Sequence, residues 1–268
     1  MSTQDNRIQR FEGTAMQVNS FLIEGPTGVV VVDAQLTVSD ATALRKVAES
    51  YEKPVAGLVL THGHPDHYAG AATLLEGLDT PIIATPAVDA VIRRDDATKE
   101  AVVGPMMGSD WPTTRRFPDE LMEPGATVDL GGLSLTVRDT GPGESDNDSI
   151  WSLDERTLFA GDIAYNQMHA YLADGRYEAW LATLNRLESE LDQTVRLYVG
   201  HGDPTDRTAL ARQRAYVEAF VQAVESQRNA TPDDRRRHVV ATMHELLPTE
   251  NLRFLMELSI EPVLATLT

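Results

Sequence analysis

The chain contains no cysteine, so disulfide bonds, a cysteine nucleophile and thiolate metal ligands are all excluded. It also lacks an apolar run of about 18 residues, the length that a membrane-spanning helix needs. The first residues, MSTQDNRIQRF, are polar and lack the apolar core of a signal peptide. We therefore expect a cytoplasmic protein without a membrane segment, in which any bound metal is held by histidine and carboxylate side chains.

Basic residues are scarce relative to acidic ones: 23 Lys and Arg stand against 41 Asp and Glu, for a formal net charge of −18. The acidic residues are spread along the chain, and such a field repels nucleic-acid backbones and anionic membrane surfaces. The length of 268 residues and the 42% hydrophobic content are typical of a globular protein with a substantial core. A small-molecule substrate is therefore the expected partner, and self-association into a homodimer is left open.

Apolar periodicity predicts two batches of strands, each closed by helices, followed by a helical tail. The predicted strands are 6–12, 16–24, 29–33, 55–60, 81–84, 126–130, 133–139, 148–153, 157–160 and 195–199. The predicted helices are about 40–52, 66–75, 86–98 and 177–190, and the pattern is helical from 206 onward apart from a break near 231–232. Residues 100–125 are predicted to form an irregular loop. Its apolar side chains are candidates for a lid over a pocket: Met106, Met107, Trp111 and Phe117.

The segment THGHPDH, residues 61–67, directly follows a predicted apolar strand. Side chains two positions apart on an extended segment point the same way, so His62 and His64 can bind one ion together. Asp66 and His67, at the start of the next helix, then lie within reach of a second ion. Imidazole and carboxylate ligands suit zinc, iron or manganese rather than calcium. The alternative is a polar loop with incidental histidines, which would place four metal-binding side chains within six residues by chance.

This motif resembles the His-x-His-x-Asp-His signature of the metallo-β-lactamase superfamily, and further segments match in the same order along residues 20–203. Asp33 closes the strand VVVVD, where family members carry a supporting aspartate. The segment LFAGD at 158–162 resembles the one whose aspartate bridges two metals, and YVGHG at 198–202 resembles the one that supplies the last histidine. The resemblance implies an α/β fold, a four-layer αββα sandwich with the metals at one edge between the sheets.

The resemblance also implies a ligand set for two metal ions, with Zn²⁺ expected and Fe or Mn as alternatives. The implied ligands are His62 and His64 for the first metal, Asp66, His67 and His201 for the second, and Asp162 as the bridge. Two of these residues have an ordinary alternative: Asp162 as a helix N-cap or turn residue, and His201 as a surface histidine before a turn.

One position departs from the family pattern. Family members carry a third histidine for the first metal in a segment resembling Gly-Pro-Gly-His-Thr, and here residues 141–145 read Gly-Pro-Gly-Glu-Ser. Glu144 keeps the spacing to Asp162 that the histidine would have, and a carboxylate can coordinate zinc or iron. Three outcomes are open: Glu144 completes a dinuclear site, it binds so weakly that only the second site fills, or it has another role such as general base.

Two metals held in this way would support hydrolysis, since a metal-bound hydroxide forms near neutral pH and attacks a carbonyl that the metals polarise. Asp66 or Asp162 would orient that hydroxide. Tyr165 is similar to a tyrosine of metal-dependent lactonases in this superfamily, whose phenol hydrogen-bonds the substrate carbonyl. His169 is a candidate proton donor in the same pocket. The alternatives are that Tyr165 is a packed aromatic residue and that His169 orients a carboxylate.

The favoured function is therefore a metallo-hydrolase for a small lactone, thioester, ester or amide. A mononuclear-iron oxidoreductase resembling persulfide dioxygenases is a second class, and a non-catalytic metal-binding homologue is a third. We expect residues 1–205 to form the catalytic domain and residues 206–268 to be a helical extension packed on it. The apolar faces of that extension would cover the sandwich, line the substrate pocket or form a dimer surface.

Overall fold

The computed structural model describes residues 8–267, which form two β-sheets with helices on their outer faces. The strands are β1 (Ile8–Glu12), β2 (Asn19–Glu24), β3 (Val29–Val32), β4 (Val55–Val59), β5 (Ile82–Ala84), β6 (Glu120–Leu121), β7 (Thr127–Leu130), β8 (Leu133–Gly141), β9 (Asp148–Ser152), β10 (Thr157–Gly161), β11 (Arg196–Val199) and β12 (Thr205–Asp206). The helices are α1 (Val38–Glu49), α2 (Pro65–Tyr68), α3 (Ala71–Leu74), α4 (Pro86–Met107), α5 (Tyr177–Glu190), α6 (Thr208–Ser226), α7 (Pro232–Leu246), α8 (Arg253–Leu258) and α9 (Ile260–Thr266).

Each sheet has six strands, in the orders β1-β2-β3-β4-β5-β6 and β12-β11-β10-β9-β8-β7. The strands that carry the motif segments are paired in parallel: β3 with β4, and β10 with β11. The carboxyl ends of parallel neighbours lie at the same edge of a sheet, where open α/β sheets bind their ligands. This topology brings the segments that follow β3, β4, β10 and β11 to one edge of the molecule.

The alternation of side chains along each strand explains the layers. In β2, Phe21 and Ile23 belong to the apolar cluster between the two sheets, whereas Leu22 packs toward the helices on the outer face. The strand β3 alternates in the same way, with Val30 between the sheets and Val31 facing the helices. Strands that are buried on both faces read as continuous apolar runs, as VVVV does here. The result is the four-layer αββα sandwich that the sequence predicts.

The outer helices cover the two sheets separately. Helices α1 and α4 pack on the first sheet through residues such as Leu44 and Ile92. Helix α5 and the C-terminal helices cover the second sheet in one continuous cluster, to which Trp180, Phe220 and Met256 belong. The predicted helical tail is therefore confirmed, and it packs on the sandwich. The division of the chain at residue 205 stays a prediction.

Two predicted elements differ from the structure. The helix predicted over 66–75 is split into α2 and α3 at Gly70, whose N–H donates to the carbonyl of Gln35 instead of a helical partner. The loop predicted over 100–125 is wrong in its first part, because α4 continues to Met107 and ends at Gly108, which has a φ of 58°. Pro105 near the end of that helix removes one hydrogen bond without ending it.

Within residues 8–267, no helix combines the length and apolarity needed to cross a membrane. Residues 6 and 7 of the first predicted strand lie outside the described part of the chain.

Candidate metal centre and its cavity

The histidine motif is held in place by Asp33, which follows β3. One carboxylate oxygen of Asp33 accepts the backbone N–H of Thr61 at 2.9 Å, and the other accepts the Thr61 hydroxyl at 2.8 Å and contacts Nδ1 of His67 at 2.8 Å. Asp33 has a φ of 61°, a left-handed conformation that side chains with a short polar group tolerate best. Because Nδ1 of His67 is engaged with the Asp33 carboxylate, Nε2 is the ring nitrogen that remains to bind a metal.

The first group of the site consists of His62, His64 and Glu144. Nδ1 of His64 lies 2.7 Å from Oε2 of Glu144, and Nε2 of His62 lies 3.6 Å from the same oxygen. The three potential ligand atoms lie within 4.8 Å of one another, and the residues are buried. The structure therefore places Glu144 where a third ligand to a first metal would be, and its coordination of a metal stays a prediction.

The second group consists of Asp66, His67, Asp162 and His201. Nε2 of His201 lies 3.4 Å from Oδ2 of Asp66 and 3.1 Å from Oδ2 of Asp162. Nε2 of His67 lies 3.4 Å from Oδ1 of Asp162. Asp162 also forms a group with His62 and His67, so its carboxylate lies between the two sets of imidazoles. We call these seven residues, from His62 to His201, the metal-site cluster.

Two glycines allow this close approach. Asp162 and His201 directly follow the parallel strands β10 and β11 through Gly161 and Gly200, and the Gly200 N–H donates to the Gly161 carbonyl at 2.8 Å. A Cβ on Gly200 would overlap Oδ1 of Asp162 and would lie 2.8 Å from Cε1 of His67. Only glycine therefore lets the ends of these two strands meet the histidine motif.

Five polar atoms of the metal-site cluster are buried and make no hydrogen bond of normal geometry, although they face other members of the cluster at ion-pair distance. They are Nε2 of His62, Nε2 of His67, Oε2 of Glu144, Oδ1 of Asp162 and Nε2 of His201. Buried polar groups are normally hydrogen-bonded, and buried charges are paired or coordinate metals. Imidazole nitrogens and carboxylate oxygens that converge in this way suit a borderline metal ion such as zinc. The side chains present therefore fit divalent metal ions.

The electrostatics of the cluster also favour a cation. Burial opposes the protonation of His64 and His201, but neighbouring carboxylates outweigh it. Glu144 and Asp174 raise the pKa of His64 to about 10, and Asp162 and Asp66 raise the pKa of His201 to about 10. Carboxylates that hold protons on imidazoles at neutral pH form a field that attracts positive charge, which divalent ions would supply.

Tyr165 contacts the metal-site cluster and is also part of the buried core beside the second sheet. Its hydroxyl donates to Oδ2 of Asp162 at 2.7 Å and lies 3.2 Å from Oε1 of Glu144, and its ring stacks on His201 with centroids 4.9 Å apart. The Tyr165 N–H donates to the Gln213 side-chain oxygen at 3.0 Å, which fixes the backbone there. Burial and the Asp162 carboxylate raise the pKa of Tyr165 above its usual range, so the phenol stays protonated.

The structure does not bring His169 to the cluster. Its Nδ1 lies 2.9 Å from the Tyr216 hydroxyl and its Nε2 lies 3.1 Å from the Thr249 carbonyl. Gln167, two residues earlier, has a left-handed backbone conformation with a φ of 60°. The expectation that His169 lines the pocket as a proton donor is therefore corrected: it ties the β10–α5 connection to the C-terminal helices.

Sequence reasoning missed a group that contacts the cluster from outside. Asp174 lies 2.8 Å from Nε2 of His64, and its other oxygen lies 3.3 Å from Nζ of Lys99 and accepts the Tyr171 hydroxyl at 3.1 Å. Burial opposes the ionisation of Asp174, but His64 and Lys99 together hold its pKa below the usual range. These residues come from α4 and from the loop before α5, and no spacing in the sequence connects them to the motif.

A cavity of about 390 Å³ opens above the metal-site cluster. Cluster residues and Tyr165 form its floor, and α4 and α8 contribute apolar side chains to its walls. Of the four lid candidates, only Met106 lines this cavity. Trp111 is buried beside Leu36 and Ala69, and Phe117 packs on the outer helices of the first sheet, so the expected lid is corrected to a wall that belongs to α4.

A sequence model of the metallo-beta-lactamase superfamily matches residues 13–202, which contain every member of the cluster. The chain belongs to this superfamily. Two relatives show its diversity. The 2,4-dinitroanisole O-demethylase subunit alpha of Nocardioides sp. strain JS1661 is 24% identical over 191 residues, which are 70% of this chain and 54% of the relative. The hydroxyacylglutathione hydrolase of Rhodopseudomonas palustris strain BisB5 is 26% identical over 215 residues, 78% of this chain and 74% of the relative.

The fold is shared with solved superfamily structures. A beta-lactamase domain protein from Burkholderia ambifaria superposes with a TM-score of 0.72 at 18% identity, covering 99% of this chain and 88% of that one. A likeness at this identity shows the fold alone. The fold of the Burkholderia protein therefore matches this chain over nearly its whole length, including the C-terminal helices, while the chain spans only about half of the demethylase subunit.

Proposed function

We propose that this superfamily member is a metal-dependent hydrolase that acts on a small carbonyl substrate: an ester, a lactone, a thioester or an amide. The observation that carries the proposal is the set of five buried nitrogen and oxygen atoms that make no hydrogen bond of normal geometry and converge beneath one cavity. Burial of so many ionisable groups without well-formed hydrogen bonds lowers the stability of the folded protein unless a bound ligand satisfies them. Membership of the superfamily and the distant similarity to hydroxyacylglutathione hydrolases support hydrolysis in general. The similarity to those hydrolases is also the reason that a thioester is included among the proposed substrates.

The proposed metal ligands fall into the two groups of side chains described for the metal-site cluster. His62, His64 and Glu144 would hold one ion, and Asp66, His67 and His201 would hold a second. Asp162, between both sets, would bridge them. Zinc is the proposed metal, and iron or manganese suits the same donors because three of them are carboxylates. Metal ions bound here would supply an activated water and would polarise a substrate carbonyl.

Two side chains have proposed roles in positioning the water molecule and the substrate. The Asp66 carboxylate faces the cavity and is placed to orient a water molecule above the second group. The Tyr165 hydroxyl, which already contacts the two carboxylates at the floor, is the proposed donor to the substrate oxygen. A protonated phenol is suited to that role because it donates without carrying a charge into the site.

Metal analysis of the purified protein tests the proposal first. Wild type is expected to bind about two equivalents, as dinuclear hydrolases do. The variant E144H should retain them, because histidine is also a good ligand, whereas E144A should lose one. One equivalent that neither substitution affects would show that Glu144 is not a ligand, and an iron-only content would favour the oxidative alternative.

Turnover of the metal-loaded protein tests the chemistry. The variant D162A is expected to abolish hydrolysis of an ester and lactone panel, while circular dichroism and the melting temperature show that the protein is still folded. The matched control is D192A, which changes an exposed aspartate bonded only to Thr194 within its own loop. Activity that survives in D162A would contradict the proposed mechanism.

A further inference from the structure

We propose, on the basis of the proposed function, that the substrate carries an uncharged apolar acyl arm, and that this arm binds between α4 and α8. The reactive carbonyl would lie at the polar floor, and the arm would lie along the walls. The residues that would select the arm are Val102 and Met106 of α4 and Leu255 and Leu258 of α8.

The walls of the cavity carry large apolar side chains that are exposed to solvent. Val102 is 62% exposed, Met106 is 53% exposed and Leu258 is 53% exposed, although each has a large apolar side chain. Among residues 8–267, eight large hydrophobic residues are exposed, and these three line the same cavity. Single exposed apolar residues need no explanation, but a group around a concave site marks a ligand-binding surface.

The geometry gives the arm a direction. The floor carries the ionisable groups, among them His64, Asp66 and Glu144, and the apolar side chains of α4 and α8 line the walls. A substrate with its carbonyl on the floor must therefore extend its other end past Val102 and Leu258. Each methylene that is removed from water along this path favours binding.

The charges around the cavity exclude an anionic arm. Among the described residues 8–267, Lys99 is the one lysine or arginine that lines the cavity, and its ammonium lies 3.3 Å from Asp174 and over the Tyr171 ring. No lining cation is therefore free to pair with a phosphate or carboxylate on the substrate. The net charge of −18 would in addition disfavour such a group.

The test uses the full-length, metal-loaded protein and p-nitrophenyl esters of acetate, butyrate, hexanoate and octanoate. We expect kcat/KM to rise about two- to fourfold for each methylene, which corresponds to partial burial of the arm. An ester of the same length as octanoate that ends in a carboxylate should be a poorer substrate than octanoate. A flat dependence on chain length in an enzyme that hydrolyses acetate would overturn the inference and leave the proposed function intact.

Variants locate the arm. The double variant L255A/L258A should lose most of the preference for octanoate over acetate, measured as the ratio of the two kcat/KM values. The matched control is F254A, because Phe254 is 40% exposed on the same helix and does not line the cavity. The variant M106K should reverse part of the preference, because it adds a free cation that favours the carboxylate-ended ester. An unchanged preference in L255A/L258A would overturn the assignment of α8.

Binding without turnover separates the two proposals. Calorimetric titration with 2-nonanone and acetone, which carry the octanoyl and acetyl arms without a hydrolysable bond, measures the affinity for the arm alone. 2-Nonanone should bind more tightly than acetone to wild type and to F254A, and less tightly to L255A/L258A than to wild type. Equal binding of the two ketones to wild type would overturn the inference. Preferential 2-nonanone binding in a protein that hydrolyses no ester, lactone, thioester or amide would instead contradict the proposed function.

Discussion

Asp174 joins three side chains around the cavity through one carboxylate: His64, Lys99 and Tyr171. Its contact with Nε2 of His64 fixes the tautomer in which that nitrogen carries the proton. Nδ1, which lies 2.7 Å from Glu144, is then the nitrogen that would coordinate the first metal in place of a proton. A carboxylate behind a ligating histidine increases the basicity of the ligand and holds its ring in place.

Replacement of Asp174 is expected to weaken metal binding. D174A should lower the affinity of the first site by about 10- to 100-fold, the range seen when such a supporting group is lost. D174N keeps an acceptor oxygen and should lose less. Competition with a chromophoric chelator measures the affinity, and N251A, an exposed surface residue outside the cavity, serves as a control. Equal affinities in wild type and D174A would contradict the supporting role.

The resemblance of the motif segments to the superfamily predicted which residues converge, and the structure brings all seven members of the cluster together. The prediction succeeded because these segments follow strands whose order fixes their position, as Asp162 and His201 do after β10 and β11. Asp174 could not be predicted in this way, since it lies in a loop with no periodic pattern. His169 was misplaced for a related reason: its contacts, with the Tyr216 hydroxyl and the Thr249 carbonyl, join segments far apart in the chain that hydrophobic spacing does not connect.

At the scale of elements, most strands and α5 could be predicted, because apolar alternation continues to their ends. The end of α4 could not, because Gly104, Pro105 and Gly108 are typical of a loop. The helix continues through the first two since its inner face packs: Val103 and Met107 contact the cluster around Trp111. The edge strands β6 and β12 are two residues long and depend on their partner strands, so no local pattern predicts them.

Gly104 in α4 offers a test of that packing. A Cβ there would lie 3.5 Å from the nearest atom of Trp111, an ordinary contact distance. G104A is therefore expected to raise the free energy of unfolding by about 0.5–1 kcal/mol, because alanine loses less backbone entropy in a helix than glycine does. Chemical denaturation measures the change. A lower stability would show that Trp111 needs the space, and the metal content should be unchanged in either case.

At the scale of the whole molecule, the C-terminal helices share one core with the second sheet. Leu197 of β11, Leu184 of α5 and Val217 of α6 belong to the same buried cluster as Met256 of α8. Removal of the tail would expose the apolar surface of the sheet that it covers, and no other element is available to bury it.

A chain truncated after residue 205 is therefore expected to lose cooperative folding. Urea unfolding followed by circular dichroism should show a broad transition without a native baseline, and size exclusion should show aggregates. The full-length chain is the control and should unfold in a single transition. A truncated chain that unfolds cooperatively and binds metal would instead support residues 1–205 as an independent domain.

The origin of the cavity walls has a consequence for how activities diverge in such a chain. The metal-site cluster lies within the 13–202 segment that the superfamily shares, but Leu255 and Leu258 come from a helix beyond it. Part of the proposed selectivity is thus encoded outside the stretch that encodes the proposed metal site. Mutations in the tail can therefore reshape one wall of the cavity while every residue of the metal-site cluster stays as it is.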